Sequence, residues 1–204
     1  REFGVAHVSP IPTGVDLDFF GYADPLPADD ELGGKVVFTG SMDWDANING
    51  VQFFLREVWP LVVKRRPRAQ FEVVGRNPAS SLLKLAKETT GVHFTGRVDD
   101  VRPHVRSGQV FVIPLRVGGG TRIKTFEAMA MGCPVVSTAL GIEGLDVRDG
   151  EHLLIRDEPA AFAEAVLELL EQPALGRTMA TVARDLVQTR FGHRAVAQVF
   201  EDIC

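Results

Sequence analysis

VGGGTRIKTFEAMAMGCPVVST, residues 117–138, carries more information than the rest of this 204-residue chain together. Gly118, Gly119 and Gly120 lead into Thr121, then the cations Arg122 and Lys124. A helical run holding one acid, Glu127, follows, and after it the β-branched PVVST. With FVIP (111–114) in front, this reads strand, glycine loop, helix over 121–131, strand. A glycine loop that feeds a helix gathers unpaired backbone N–H groups and the positive end of the helix dipole at one place. Placed after a parallel strand, that combination suits a phosphate or diphosphate.

Outward from this stretch the pattern is regular. KVVFT (35–39), QFEVVG (70–75), VHFTG (92–96), QVFVIP (109–114), PVVST (134–138) and HLLI (152–155) read as strands. Helical spacing fills 49–66, 78–88, 99–106, 158–171, 174–190 and 194–203, with Pro60 expected to kink or divide the first. Several strands are unbroken apolar runs, as expected where both faces of a sheet are covered. The alternation predicts an α/β fold: a Rossmann-like, doubly wound parallel sheet of about six strands with helices on both faces and right-handed crossovers. Ligands of such folds sit at the carboxyl ends of the strands. The loops of interest are therefore 40–49, 75–78, 96–99, 114–121 and 139–144.

The first thirty residues differ. VAHV (5–8) is a short strand candidate, and the proline-rich, acidic DFFGYADPLPADDELGG (18–34) reads as a linker. The expected organisation is a linker and the end of a preceding domain over 1–30, then one domain over 31–204. The chain opens on REFGVAHVS without a Met, which suggests a piece of a longer protein.

Composition is that of a soluble globular protein, 45% hydrophobic and 24% charged with net charge −5. The nearest approach to a basic run, Lys64-Arg65-Arg66 with Arg68, falls where a helix should end and where cations are favoured. Nucleic-acid binding is not expected. Cys133 and Cys204 make no disulfide framework, and Cys133 reads as a small core residue in a reduced, cytoplasmic protein. His7, His93, His104, His152 and His193 have no metal-ligand spacing, so neither a metal nor a cofactor is expected. No stretch approaches the roughly 18 apolar residues of a membrane span.

The three glycines allow positive φ or close approach of a ligand. Thr121 is a good N-cap for the following helix, with a hydroxyl able to reach a phosphate. The spacing is neither that of a P-loop nor of a dinucleotide fingerprint. Arg122 and Lys124 would stand in the first helical turn, the unfavourable end for cations. Two breaches of a local rule in three residues point to a bound anion, the alternative being an ion pair of Lys124 with Glu127. Glu127 interrupts an apolar run, and its two acceptor oxygens suit the two hydroxyls of a ribose. It is expected about 9 Å from the helix start.

IPTGVD (11–16), VVFTGSMDW (36–44), FEVVG (71–75), FTGRVDD (94–100), FVIPL (111–115) and GGGTRIKTFEAMAMGCPVVST (118–138) together resemble the carboxy-terminal half of the GT-B retaining glycosyltransferases, the large family-four group. The resemblance covers nearly the whole chain, and TFEAMAMGCPVVST is its most specific part. It implies a donor domain for a nucleoside diphosphate sugar, facing a second, amino-terminal Rossmann-like domain that carries the acceptor site, with metal usually not required. IPTGVD resembles the join between the two domains, and the helix of 192–204 the one that returns toward the absent domain. Glu127 matches the ribose-binding second Glu of the family's Glu-x7-Glu motif. The first Glu, which contacts the donor sugar, falls on Gly119 and is missing. The usual Arg and Lys after the first strand fall near Ser41 and Asn49 and are missing too, so Arg122 and Lys124 are expected to supply the diphosphate cations and the electrostatic part of catalysis. Gly96, Arg97 and Val98 match the loop that holds the base, although Arg97 could instead pair with Asp99 or Asp100. Gly40 belongs to the same donor-binding set. Met42 and Trp44 would line the pocket mouth or act as a packing lid.

The expected partners are thus a nucleotide-sugar donor, an unidentified acceptor and the amino-terminal domain, with peripheral membrane association through that domain left open. A nucleotide-sugar epimerase half and a non-catalytic nucleotide-binding module are the alternatives, the second kept open by Gly119.

Overall fold

Period two explains why the central strands are apolar throughout. In β1 (Lys35–Thr39), Val36 and Phe38 enter one hydrophobic cluster and Val37 the other, and all three are fully buried. In β4 (Val110–Ile113), Val110 and Val112 pack on the first side, Phe111 and Ile113 on the second. The computed structural model describes residues 11–22 and 33–203. The strand candidate VAHV, most of the acidic linker, His7 and Cys204 lie outside the described residues.

The remaining strands are β2 (Gln70–Val74), β3 (Val92–Gly96), β5 (Val135–Ser137) and β6 (Leu154–Ile155). All adjacent pairs are parallel, in the order β3-β2-β1-β4-β5-β6. The six strands and the doubly wound α/β architecture thus match the reading of the sequence. β3 is an edge strand, only partly covered, with His93 exposed. The chain lays down β1, β2 and β3 in one direction, then returns to place β4 on the other side of β1. The crevice beyond the carboxyl ends of β1 and β4 is the switch point where such sheets take ligands.

One face carries α1 (Asp45–Phe53), α2 (Trp59–Arg65), α3 (Ser80–Lys87) and α6 (Pro159–Glu171); the other carries α4 (Arg102–Arg106), α5 (Ile123–Ala130) and α7 (Pro173–Leu186). The long helix expected over 49–66 is divided as Pro60 demanded. α1 passes into a wide π-type turn, Phe54–Val58, before α2 starts with Pro60 in its first turn. Proline has no N–H to give the preceding turn and its ring crowds that turn's carbonyl, so the ladder widens just ahead of it. The aromatic centre of the first cluster forms there: the ring of Phe54 lies 4.5 Å from Phe71 and 5.8 Å from Phe162. The basic end of α2 is consumed internally, Arg65 pairing with Glu164 and Glu171 of α6.

Residues 11–22 run along the second face. Val15 is buried, its N–H donates to Phe191 O at 2.8 Å, and its carbonyl accepts from His193 at 2.9 Å, at the start of α8 (His193–Glu201). The segment IPTGVD and the last helix are therefore neighbours. Among the described residues no helix is long and apolar enough to cross a membrane.

The loops leaving β1 and β2 depart side by side. Gly40 N–H donates to Val74 O, Met42 N–H donates to Arg76 O, and a Cβ on Gly75 would stand 1.7 Å from Gly40 O. Gly75→Ala should therefore destabilise the fold by roughly 2 kcal/mol or more, because backbone must move. Gly119→Ala should be close to neutral, since a Cβ there meets nothing within 4 Å. Chemical denaturation of the two variants checks both; equal stabilities would contradict the packing described.

Candidate functional site

The helix of the central motif starts two residues later than its pattern predicts. α5 begins at Ile123, and its N-cap is Arg122, held in the left-handed region at φ 51°. Thr121 is exposed and makes no capping hydrogen bond. The turn takes its shape from Gly118 and Gly120, at φ 95° and 127°, which leave Arg122 to close it. Glu127 is consequently four residues from the helix start, about 6 Å rather than 9 Å.

Arg122 does not project from a first helical turn but folds beneath the glycine loop. It is 8% exposed, and its Nη2 donates to Gly118 O at 2.9 Å. Glu143 approaches it at 3.8 Å from a mostly exposed position. Arg122 Nε and the neighbouring Thr125 Oγ1 are buried without a partner. Unsatisfied polar groups of this kind cost about 1–3 kcal/mol each, more when charged. Both stand at the positive end of a helix, where Arg122 lines with Gly119, Gly120, Asn47 and Trp44 a cavity of about 190 Å³.

Lys124 does not pair with Glu127 as the spacing allowed. Its ammonium donates to Thr39 O at 2.9 Å and Asn47 Oδ1 at 3.0 Å, and lies 4.5 Å from the centre of the Phe38 ring. Burial pushes its pKa from 10.5 down to about 8, opposed by the charge of Glu127 and reinforced by that of Arg122. Burial likewise raises the Glu127 carboxyl, with Lys124 pulling the other way. Gly40 is explained by this arrangement: a Cβ there would stand 2.7 Å from Asn47 Nδ2 and 3.1 Å from Lys124 Nζ.

A second, larger cleft of about 570 Å³ opens on the other side of Lys124. Glu127, Gly40, Arg97 and Val98 line it, with Val74, Val101 and Ile123 as apolar walls. Gly96, at φ 72°, turns the chain out of β3 to bring Arg97 and Val98 there. Arg97 is exposed, and Asp100 is engaged by Arg102 instead. Met42 is fully buried and takes no part in the mouth, whereas Trp44 is exposed at the rim of the smaller cavity. The fold thus brings Gly40, Arg97, Val98, Lys124 and Glu127 to one cleft and the glycine loop with Arg122 to its neighbour.

Four side chains of this region were not singled out from the sequence. Asn47 orients Lys124. Ser41, Asp43 and Arg76 tie the loops after β1 and β2 together, with Arg76 also lining the larger cleft. The available signal was weak, a Gly-Arg-Asn triplet directly after a strand. Among the described residues no group of three or more His, Cys, Asp or Glu could hold a metal ion.

The profile of the family described as Glycosyl transferases group 1 matches residues 33–172. The chain belongs to the group 1 glycosyltransferases. A phosphatidyl-myo-inositol mannosyltransferase of Mycobacterium tuberculosis is 34% identical over 174 residues, 81% of this chain and 45% of that protein. Staphylococcus aureus TarM, crystallised as a variant with fondaparinux, alpha-GlcNAc-glycerol and UDP, superposes with a TM-score of 0.77 at 17% identity, covering 99% of this chain and 40% of TarM. The carboxy-terminal domain of the group 1 glycosyltransferase LpcC from Francisella tularensis superposes at 0.72 with 19% identity, covering 88% of this chain and 100% of that domain. The two structural likenesses establish a shared fold. This group 1 glycosyltransferase chain spans about half the length of the curated relatives it matches.

Lys124 should make any anion binding by this glycosyltransferase chain pH-dependent. Only the charged amine attracts an anion, so pyrophosphate affinity should fall as pH rises through about 8. The free protein should behave oppositely. Its folded-state pKa lies below the unfolded value, so the unfolded chain binds the extra proton between about 8 and 10.5 and stability rises with pH across that window. Pyrophosphate titrations and thermal unfolding at pH 7 and 9.5 check both trends, and Lys124→Met should flatten them.

Proposed function

We propose that this chain is the donor-binding half of a retaining glycosyltransferase that takes a sugar from a nucleoside diphosphate sugar. The observation that carries the reading is the buried, unpartnered Nε of Arg122 beneath a glycine loop at a helix N-terminus, with Lys124 beside it. A diphosphate resting on Gly118, Gly119, Gly120 and Thr121 would satisfy the orphaned donor and relieve the crowding of two cations. Glu127, in the adjoining cleft, would accept the ribose hydroxyls, and Gly40, Gly96, Arg97 and Val98 would border the base. The family membership supports this arrangement, and UDP in the TarM crystal is in keeping with it.

As the bond between anomeric carbon and phosphate oxygen breaks, negative charge grows on the departing nucleoside diphosphate. Arg122, Lys124 and the loop amides, already oriented, would stabilise that charge without reorganising. Such donors are worth roughly 2.7–4 kcal/mol each in measured oxyanion sites. In this reading the two side-chain cations serve where other phosphate sites use a divalent ion, and the reaction is metal-independent. The acceptor side belongs to an amino-terminal domain beyond these 204 residues, facing the donor cleft near residues 11–22 and α8, with a cytoplasmic setting. The 45% coverage of the mannosyltransferase and the full coverage of the LpcC carboxy-terminal domain support that division.

Glu127→Ala should weaken UDP or GDP binding about tenfold or more by calorimetry, while leaving pyrophosphate binding little changed. The isolated chain should transfer no sugar. Turnover by the 204 residues alone, or nucleotide binding indifferent to Glu127, would defeat the reading. In the full-length enzyme, transfer should survive saturating EDTA.

A further inference from the structure

The loop Gly75-Arg76-Asn77 after β2 is held more firmly than stability requires. Asn77 is in the left-handed region at φ 54°, and its Nδ2 donates to Asp43 Oδ2 at 2.8 Å. Ser41 donates to Asp43 Oδ1 at 2.6 Å, and Arg76 Nε donates to Ser41 Oγ at 3.0 Å. These hydrogen bonds hold the Asp43 carboxyl below its usual range. The Arg76 carbonyl is fixed as well, accepting from Met42 N–H at 2.9 Å. Exposed polar contacts of this kind return little stability, and a left-handed non-glycine residue costs on the order of 1 kcal/mol. What the arrangement does achieve is to anchor one guanidinium through its Nε. Its two terminal nitrogens have no partner among the described residues, and Arg76 lines the 570 Å³ cleft.

Sheet order decides which part of a ligand Arg76 meets. The β2 loop lies between the β3 loop, with Arg97 and Val98, and the β1 loop at Gly40, away from the glycine loop beyond β4. On the proposed reading of the cleft, this is the nucleobase end. The apolar walls Val74, Val98, Val101 and Ile123 suit a planar ring. The cations lining it, Arg76, Arg97 and Lys124, offer only donors, the Ser41 hydroxyl is engaged by Arg76 and Asp43, and the sole carboxylate among the described lining residues is Glu127. An anchored guanidinium is complementary to the adjacent acceptors O6 and N7 of guanine, or through one N–H to the single acceptor O4 of uracil. It opposes the amino group that adenine and cytosine carry at the corresponding position.

We propose that Arg76 reads the nucleobase edge and selects a keto base, guanine or uracil, over adenine and cytosine. This inference rests on the donor-site reading above and adds a specificity-determining residue to it. Calorimetric titration of the chain with UDP, GDP, ADP and CDP, and with pyrophosphate, tests it in the parent, Arg76→Ala, Arg76→Lys and Glu127→Ala. The parent should bind UDP or GDP best. Both Arg76 variants should bind that nucleotide about tenfold or more weakly, lose most of the discrimination against ADP and CDP, and bind pyrophosphate as the parent does. Thermal unfolding close to that of the parent confirms that the variants fold. A parent preference for ADP or CDP, an unchanged ranking in Arg76→Ala, or an equal loss for all nucleotides and pyrophosphate would overturn the inference. If Glu127→Ala still weakens every nucleotide in those cases, the donor-site reading stands without it. A parent that binds none of the four would sink both.

Discussion

Lys124 donates to the carbonyl of Thr39, the last residue of β1, and to Asn47 of α1, and in doing so ties α5 to the centre of the sheet. Both cavities of the site border this ammonium. The glycine at position 40 exists to leave it room, and Asn47 is turned toward it while donating its own amide to Ser41 O at 2.9 Å. An ammonium so enclosed holds its proton loosely, at about 8, because burial opposes charge and Arg122 adds to the repulsion. The protein by itself is therefore electrostatically discontented here, and the proposed diphosphate would be a remedy.

The discontent is localised. Arg122 and Thr125 leave buried polar atoms unpaired at the head of α5, while the cores on both faces of the sheet are apolar and the free Cys133 thiol is pushed up to about 12 by burial. Two of the three buried side-chain polar atoms without a partner among the described residues stand at one end of one helix, the third being Arg106 Nε in α4. That end adjoins the crevice where the strand order reverses. The coincidence of strain, unsatisfied donors and topology is stronger than any one of them, since a structural accident would have no reason to fall at the switch point.

Loops, rather than strands, carry the chemistry that distinguishes this chain. Gly119 occupies a backbone position where a Cβ meets nothing within 4 Å, so packing does not exclude the glutamate that the family resemblance places there. The loops after β1 and β2 are locked to each other by Ser41, Asp43, Arg76 and Asn77, forming one firm wall opposite α5. On the proposed reading, rigid walls at the base end and the cations at the phosphate end would divide the labour of recognition between them.

The order of strands and helices was legible in the sequence because period two and the helical period are local, and six apolar runs with intervening amphipathic stretches leave few foldings open. The glycine loop, Glu127 and the pair Arg122 and Lys124 were legible for the same reason: each breaks a local rule at a marked place. The details that turn these residues into a site were not. Whether Arg122 heads the helix or caps it in a left-handed turn is decided by the shape of the glycine loop, and whether Lys124 faces Glu127 or Thr39 and Asn47 depends on contacts between residues some eighty positions apart. Arg76 and Met42 were misjudged or passed over because a loop residue's direction is set by its neighbours in space. One strand pairing, β1 beside β4, brings the two decisive loops together, and only the folded chain could decide which side chains meet across them.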